Sequence, residues 1–165
     1  MKKYAVILAV VFLLAACGSQ ETFETVADAY QIPAAAAAPG TISINIPENA
    51  ASPVFSGEEG ILYQCDGYDI SVLTLESGDL DRTLRSVTGY GRENIAVIST
   101  QDGNLTRYDC AWTAVGEGGE LVSRTMILDD GNYHYAVTAT ADAGSTRELV
   151  PAWKDIFDSV HLDSY

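Results

Sequence analysis

Apolar residues recur at every second position through most of this chain, and at helical spacing in two short stretches. Thr41-Ile42-Ser43-Ile44-Asn45-Ile46-Pro47 alternates apolar and polar, which predicts a strand with one buried face, ended by proline. Pro47 to Gly60 reads as a loop. Ile61 to Cys65 is a second strand, Asp66-Gly67 a hairpin turn, and Tyr68 to Leu75 a third strand. Ser77-Gly78-Asp79 breaks the pattern, and Asp79 suits a helix N-cap. Leu80, Leu84 and Val87 then share one helical face and Gly89 supplies the C-cap, so this stretch predicts a short amphipathic helix that covers a core.

From Asn94 onward the period is two again. Ile95 to Thr100, Leu105 to Val115, Leu121 to Leu128 and Tyr133 to Ala139 are strands. They are separated by the turn sequences Asp102-Gly103-Asn104, Gly116-Glu117-Gly118-Gly119 and Asp129-Asp130-Gly131-Asn132. Within Leu105 to Val115, Tyr108, Cys110, Trp112 and Ala114 fall on one face, and Arg107, Asp109 and Thr113 on the other. Turns this tight imply an antiparallel meander. The last element is a helix with the stripe Leu149, Trp153, Ile156, Phe157 and Val160; Ser145 with Glu148 fits a capping box. Pro151 sits inside that pattern, as a kink or as the first turn of a helix that starts later, and its cost in a helix interior favours the later start.

These elements predict an α+β fold over residues 41–165: an antiparallel β-sheet meander packed by a C-terminal α-helix and one short helix. The order of elements resembles the Mog1/PsbP-like fold over about residues 41–162. Tyr133-His134-Tyr135-Ala136-Val137, followed by the helix ending at Ile156-Phe157-Asp158-Ser159-Val160, carries the resemblance. It implies a sandwich with the terminal helix on the core face of the sheet. PsbP-like proteins are non-enzymatic accessory subunits of a membrane complex and Mog1 binds a small GTPase, but fold analogy transfers neither partner. The segments Leu62-Tyr63-Gln64-Cys65-Asp66-Gly67-Tyr68-Asp69 and Leu128-Asp129-Asp130-Gly131-Asn132-Tyr133-His134-Tyr135 also resemble a set of uncharacterised bacterial lipoproteins, which implies no activity.

The N-terminus agrees with that second resemblance. Met1-Lys2-Lys3 precedes an uncharged apolar run from Tyr4 to Ala16, the parts of a secretory signal peptide. The run falls short of the roughly 20 residues that span a bilayer. Leu14-Ala15-Ala16-Cys17 resembles the bacterial lipobox, which implies a diacylglycerol on the Cys17 sulfur and cleavage that leaves Cys17 as the new N-terminus. Residues 1–16 are then a signal peptide, 17–40 a lipidated cysteine with a flexible Ala/Pro-rich tether, and 41–165 one globular domain. The expected location is extracytoplasmic, anchored to the cell membrane. Gly18 and Ser19 lack the aspartate that retains lipoproteins at an inner membrane, so an outer membrane suits a two-membrane host.

Charge narrows the partners. Without residues 1–16 the chain keeps seven basic residues against 23 acidic ones, a formal −16. Such a surface repels nucleic acid and anionic headgroups, so membrane attachment rests on the acyl chains. The acidity otherwise serves solubility. Cys65 and Cys110 remain besides Cys17, and an oxidising compartment favours a structural disulfide between them. Two buried reduced thiols or a redox pair are the rival readings, the second without a Cys-x-x-Cys motif.

Catalytic signals are thin. No Gly-x-Ser-x-Gly elbow and no Walker loop occurs, and Gly89-Tyr90-Gly91 lacks the third glycine of a dinucleotide motif. His134 alternates onto the polar face between Tyr133 and Tyr135, as a solvated strand residue, and His161 lies in the tail. The acidic turns at Asp102 and Asp129-Asp130 have the residues that turns require for backbone reasons, without EF-hand spacing, so no metal site is expected. Most tyrosines are assigned to the core. The expectation is a non-enzymatic binding or accessory module of the cell envelope, with no cofactor beyond the diacylglycerol on Cys17 and with an envelope protein as partner. An envelope hydrolase or metal-dependent enzyme using carboxylates is one alternative, requiring a cleft where two acids, or an acid and His134, meet. A purely structural lipoprotein is the other.

Overall fold

A computed structural model describes residues 38–48, 50, 53–57 and 60–163. The expected signal peptide (1–16), the lipidation site Cys17 and all but the last three residues of the expected tether lie outside the described residues. The order of elements is β1 (Thr41–Ser43), β2 (Phe55–Ser56), β3 (Gly60–Gln64), β4 (Tyr68–Glu76), α1 (Leu80–Thr88), β5 (Val97–Asp102), β6 (Leu105–Gly116), β7 (Gly119–Asp129), β8 (Tyr133–Asp142), α2 (Thr146–Ser159) and β9 (His161–Asp163). Seven strands form one antiparallel sheet in the order β2-β3-β4-β8-β7-β6-β5. The chain builds one half as β2–β4, crosses through α1 to the far edge, and returns strand by strand until β8 closes against β4.

Both faces of this sheet are covered, because β8 presents apolar or small residues on each. Tyr135, Val137, Ala139 and Ala141 join Tyr68, Ile70, Met126 and Leu128 beneath Trp153, Ile156 and Phe157 of α2. On the other face Ala136 joins Ile127 and Cys110 beneath Leu84 of α1, with Leu80 and Val87 packed alongside. Each fully buried large side chain contributes about 1.5–3 kcal/mol.

The α1 signals act as their chemistry dictates. Asp79 Oδ1 accepts from the Asp81 N–H at 3.0 Å, and Gly89 at φ 79° ends the helix with its N–H on the Arg85 carbonyl.

The structure differs from the sequence expectations at both ends of the domain. The first strand stops at Ser43 and pairs with β9 as a separate two-stranded sheet, although Ile42, Ile44 and Ile46 all still pack on the core. His161, placed by sequence in a tail, therefore lies in a strand. The C-terminal helix starts at Thr146, before Pro151 rather than at it. Pro151 is exposed and removes a bond to the Arg147 carbonyl, at up to about 3 kcal/mol. Burial of Trp153, Ile156 and Phe157 offsets it. The capping box does not form. The Ser145 and Thr146 hydroxyls instead donate to the Asp142 carbonyl at 3.0 and 3.1 Å, fixing the β8–α2 corner.

Candidate functional site

On the face that carries α2, the helix covers β4, β8 and β7, and among the described residues β6 and β5 are left open. The result is a shelf containing an open pocket of about 520 Å³, lined by Ala96, Ile98, Arg107, Asp109, Cys110, Ala111 and Arg124. A second pocket of about 330 Å³ shares Ala96 and Ala111 with it and continues toward Tyr90 and Trp112. Strand alternation brings Arg107, Asp109 and Ala111 to this face of β6, and the register sets Ala111 beside Arg124 of β7 and Asp109 beside Ile98 of β5.

Asp109 is the electrostatic centre of the shelf. It accepts from Arg107 Nε at 2.5 Å and Arg107 Nη2 at 2.9 Å, and from Arg124 Nη2 at 3.3 Å. Burial pushes the Asp109 carboxyl up, and the two guanidiniums more than reverse this, holding it below the ordinary carboxylate range. The Arg107 guanidinium is correspondingly raised, chiefly by its hydrogen bonds to Asp109. Arg124 also lies 4.4 Å from the ring centroid of Phe157 in α2, a cation–π contact that ties the shelf to the helix. Each guanidinium has five N–H donors, so both keep donors free above an apolar floor.

A second polar cluster lies under α1. His134, which sequence alternation assigned to solvent, is fully buried. The correction has a simple cause: α1 covers the face that alternation marked as polar. Thr83 Oγ1 and His134 Nδ1 are 2.7 Å apart, and His134 Nε2 lies 3.3 Å from Asp129 Oδ2 and 3.5 Å from Ser77 Oγ. Thr83 and Ser77 line a cleft of about 290 Å³ with Gly78, Asp79, Arg82 and Ser86. No local signal could have found this cluster, since Thr83 and His134 are 51 positions apart. The small residues Ala136 and Thr138 on the same face as His134 were the one hint that a helix could approach there.

The expected Cys65–Cys110 disulfide does not form; both are free thiols. Cys65 follows β3 and packs on the cluster under α2, whereas Cys110 of β6 belongs to the cluster under α1. Four strand spacings separate β3 from β6, about 19 Å, far beyond the roughly 7 Å limit on Cα separation in a disulfide. Burial, with the Asp109 charge adding to it, pushes the Cys110 thiol up to about 11. Cys65 is raised as well, first by burial. Thiols so shifted are poor nucleophiles.

The acidic turn before β8 uses its carboxylates internally. Asp129 Oδ1 accepts from the Gly131 N–H at 2.8 Å, and Asp130 Oδ1 accepts from the Asn132 and Tyr133 N–H groups at 2.8 and 2.7 Å. Tyr135 donates its hydroxyl to Asp130 at 2.9 Å and accepts from the Gly40 N–H at 2.7 Å, so the end of the expected tether is held to the domain. Among the described residues no group of three or more His, Cys, Asp or Glu side chains is placed to hold a metal ion, and no helix is long and apolar enough to cross a membrane.

No family model matches this chain, and no curated protein does. Several solved structures are similar in three dimensions, two of them as follows. A crystal structure from Bacteroides thetaiotaomicron VPI-5482 aligns with TM-score 0.52 at 14% identity, over 77% of this chain and 47% of that one, so the match spans about half of that protein's length. LpqN, described as involved in cell envelope biogenesis of Mycobacterium tuberculosis, aligns with TM-score 0.48 at 13% identity, over 77% of this chain and 87% of its own. The first of these likenesses extends to the α+β fold alone, an antiparallel sheet with two helices.

Proposed function

We propose that this chain is a lipid-anchored, extracytoplasmic binding module of the cell envelope that works without catalysis, in a Mog1/PsbP-like sandwich. The signal sequence and Cys17 support the location, through the lipobox resemblance. The observation that carries the binding role is the open shelf on β5 and β6, where two guanidiniums share one carboxylate beside exposed Ile98 and Ala111. A domain that covers the rest of this face with α2 and leaves this part bare presents a recognition surface. The test is photo-cross-linking in intact cells from a reactive residue at Ala111, with Glu117 on the opposite hairpin tip as control. A single partner captured from Ala111 and not from Glu117, and release of the protein from the membrane fraction by Cys17→Ser, are the expected results. Equal labelling from both positions, or none, removes the binding reading.

A second reading, an envelope hydrolase, draws on the meeting of Asp129, His134 and Thr83 at the edge of a cleft. With its proton on Nε2, His134 faces Asp129 with that N–H and takes the Thr83 O–H on Nδ1, the polarity a base needs. Ester hydrolysis by the purified chain that is abolished by Thr83→Val selects this reading.

A further inference from the structure

The seven-stranded sheet has two edges of unequal kind. One ends in β2, which is only two residues long, too short to template another strand. The other ends in β5, Val97-Ile98-Ser99-Thr100-Gln101-Asp102, which among the described residues pairs only with β6. Its first five residues contain no charge and no proline, and no lysine guards it, although exported proteins ordinarily blunt such an edge.

The register states what β5 offers. Asp102 and Leu105 close a two-residue turn, Gly103-Asn104, in which Gly103 takes φ 58°. In that geometry Asp102, Thr100 and Ile98 direct their backbone groups to β6, while Gln101, Ser99 and Val97 direct theirs outward. The outward groups are a row of donors and acceptors for one more strand. Residues of an added strand that lie opposite Ile98 and Thr100 share their face, which is the face of the shelf.

We infer that β5 accepts an extended segment of a partner polypeptide as an eighth strand, with a large apolar side chain opposite Ile98 and a carboxylate opposite Thr100. The inference rests on the binding-module reading and names its partner's chemistry. Ile98 is 69% exposed and pairs with Asp109 at the mouth of the 520 Å³ pocket, so an apolar side chain beside it gains burial. Thr100 pairs with Arg107, so a carboxylate next to Thr100 lines up with that guanidinium. The charged groups of the shelf are Arg107, Arg124 and Asp109, with Asp158 acting on both guanidiniums while paired to Lys154, and with Asp102 on the same face of β5 two residues from Thr100. The formal charges balance, so a carboxylate opposite Thr100 is favoured by the free N–H donors of Arg107 and not by a net positive field. The strongly acidic chain repels a second copy of itself and any highly acidic partner, so the segment that fits carries one carboxylate, placed at the Arg107 guanidinium, and is otherwise uncharged.

The experiment selects a fully randomised nine-residue peptide library against the whole chain, then measures the recovered peptides on variants by fluorescence anisotropy. Ser99→Pro removes one outward N–H and no bond to β6, and Ile98→Lys changes an exposed side chain; unaltered far-ultraviolet circular dichroism and urea midpoints show that both fold. Expected are alternating sequences with an acidic residue two positions from a large apolar one, binding lost in Ser99→Pro and Ile98→Lys, and binding weakened about tenfold in Arg107→Gln. Hydrogen exchange slows at Val97, Ser99 and Gln101 in the complex. Peptides that bind Ser99→Pro equally well overturn the strand-addition mode, and the cross-linking from Ala111 still decides the binding reading separately. Absence of any enriched peptide overturns it too, as does a β5-dependent dimer in sedimentation.

Discussion

Thr83 of α1 and His134 of β8 meet through a 2.7 Å contact between a hydroxyl and a ring nitrogen, with both side chains buried. This contact, with Asp129 on the other side of the ring, fastens the crossover helix to the central strand. A buried polar group whose partner is removed costs about 1–3 kcal/mol. His134→Ala leaves the buried Thr83 hydroxyl without its side-chain partner, removes the contact at Asp129 Oδ2 while Oδ1 keeps the Gly131 N–H, and opens a cavity under α1. The expected loss is about 3 kcal/mol in urea unfolding. A loss below about 0.5 kcal/mol, the range of an inconsequential surface change, contradicts the role given to this cluster.

The two cysteines offer a direct chemical check. Alkylation of the denatured, unreduced protein is expected to modify both Cys65 and Cys110, as read by peptide mass spectrometry. Reducing agent is expected to leave the melting temperature unchanged. Under native conditions Cys110 reacts more slowly than an ordinary thiol, because burial keeps it protonated. A Cys65–Cys110 cross-linked peptide contradicts the sheet order, which holds these residues about four strands apart.

Asp109 makes stability depend on pH in a predictable sense. Its folded carboxyl titrates below the unfolded one. The stabilisation it supplies is therefore complete above the ordinary aspartate range of about 3.9 and disappears as pH falls through the lower folded value. Asp109→Asn is expected to lower the urea midpoint at pH 7 and to lose this difference from the parent below that range. A difference that is constant, or larger in acid, has the wrong sign.

Pro151 interrupts α2 at an exposed position. Pro151→Ala restores one N–H to the Arg147 carbonyl and improves helix propensity by up to about 3 kcal/mol, less about 0.4–1 kcal/mol for a freer unfolded chain. Net stabilisation of about 1–2 kcal/mol in thermal or urea unfolding is expected. Destabilisation instead means that the helix needs a bend at Pro151 to seat Trp153 and Phe157.

Some features were legible because they depend on neighbours a few residues away. Asp79 caps α1 through the Asp81 N–H, and Gly67, Gly89, Gly103 and Gly131 occupy left-handed turn positions that the surrounding residues demand. The period-two pattern located β4, β6, β7 and β8 to within about three residues, since alternation is a property of each strand alone. Alternation places Arg107 and Asp109 on one face of β6 for the same reason.

The tertiary structure alone decided the rest. Alternation defines two faces without saying which is covered, so it places His134 in water, whereas α1 packs over it and buries it. Arg124 completes the Asp109 cluster from another strand, and Ala111 meets it only through the β6–β7 register. The return of the meander to β4, the pairing of β1 with β9, and the separation of Cys65 from Cys110 likewise follow from long-range strand order. Periodicity within a segment says what a strand can bury. Which strand lies beside it is settled by the packing of the whole domain, because the same alternating strand pairs equally well with several partners until α1 and α2 cover the two faces and leave β5 at the edge.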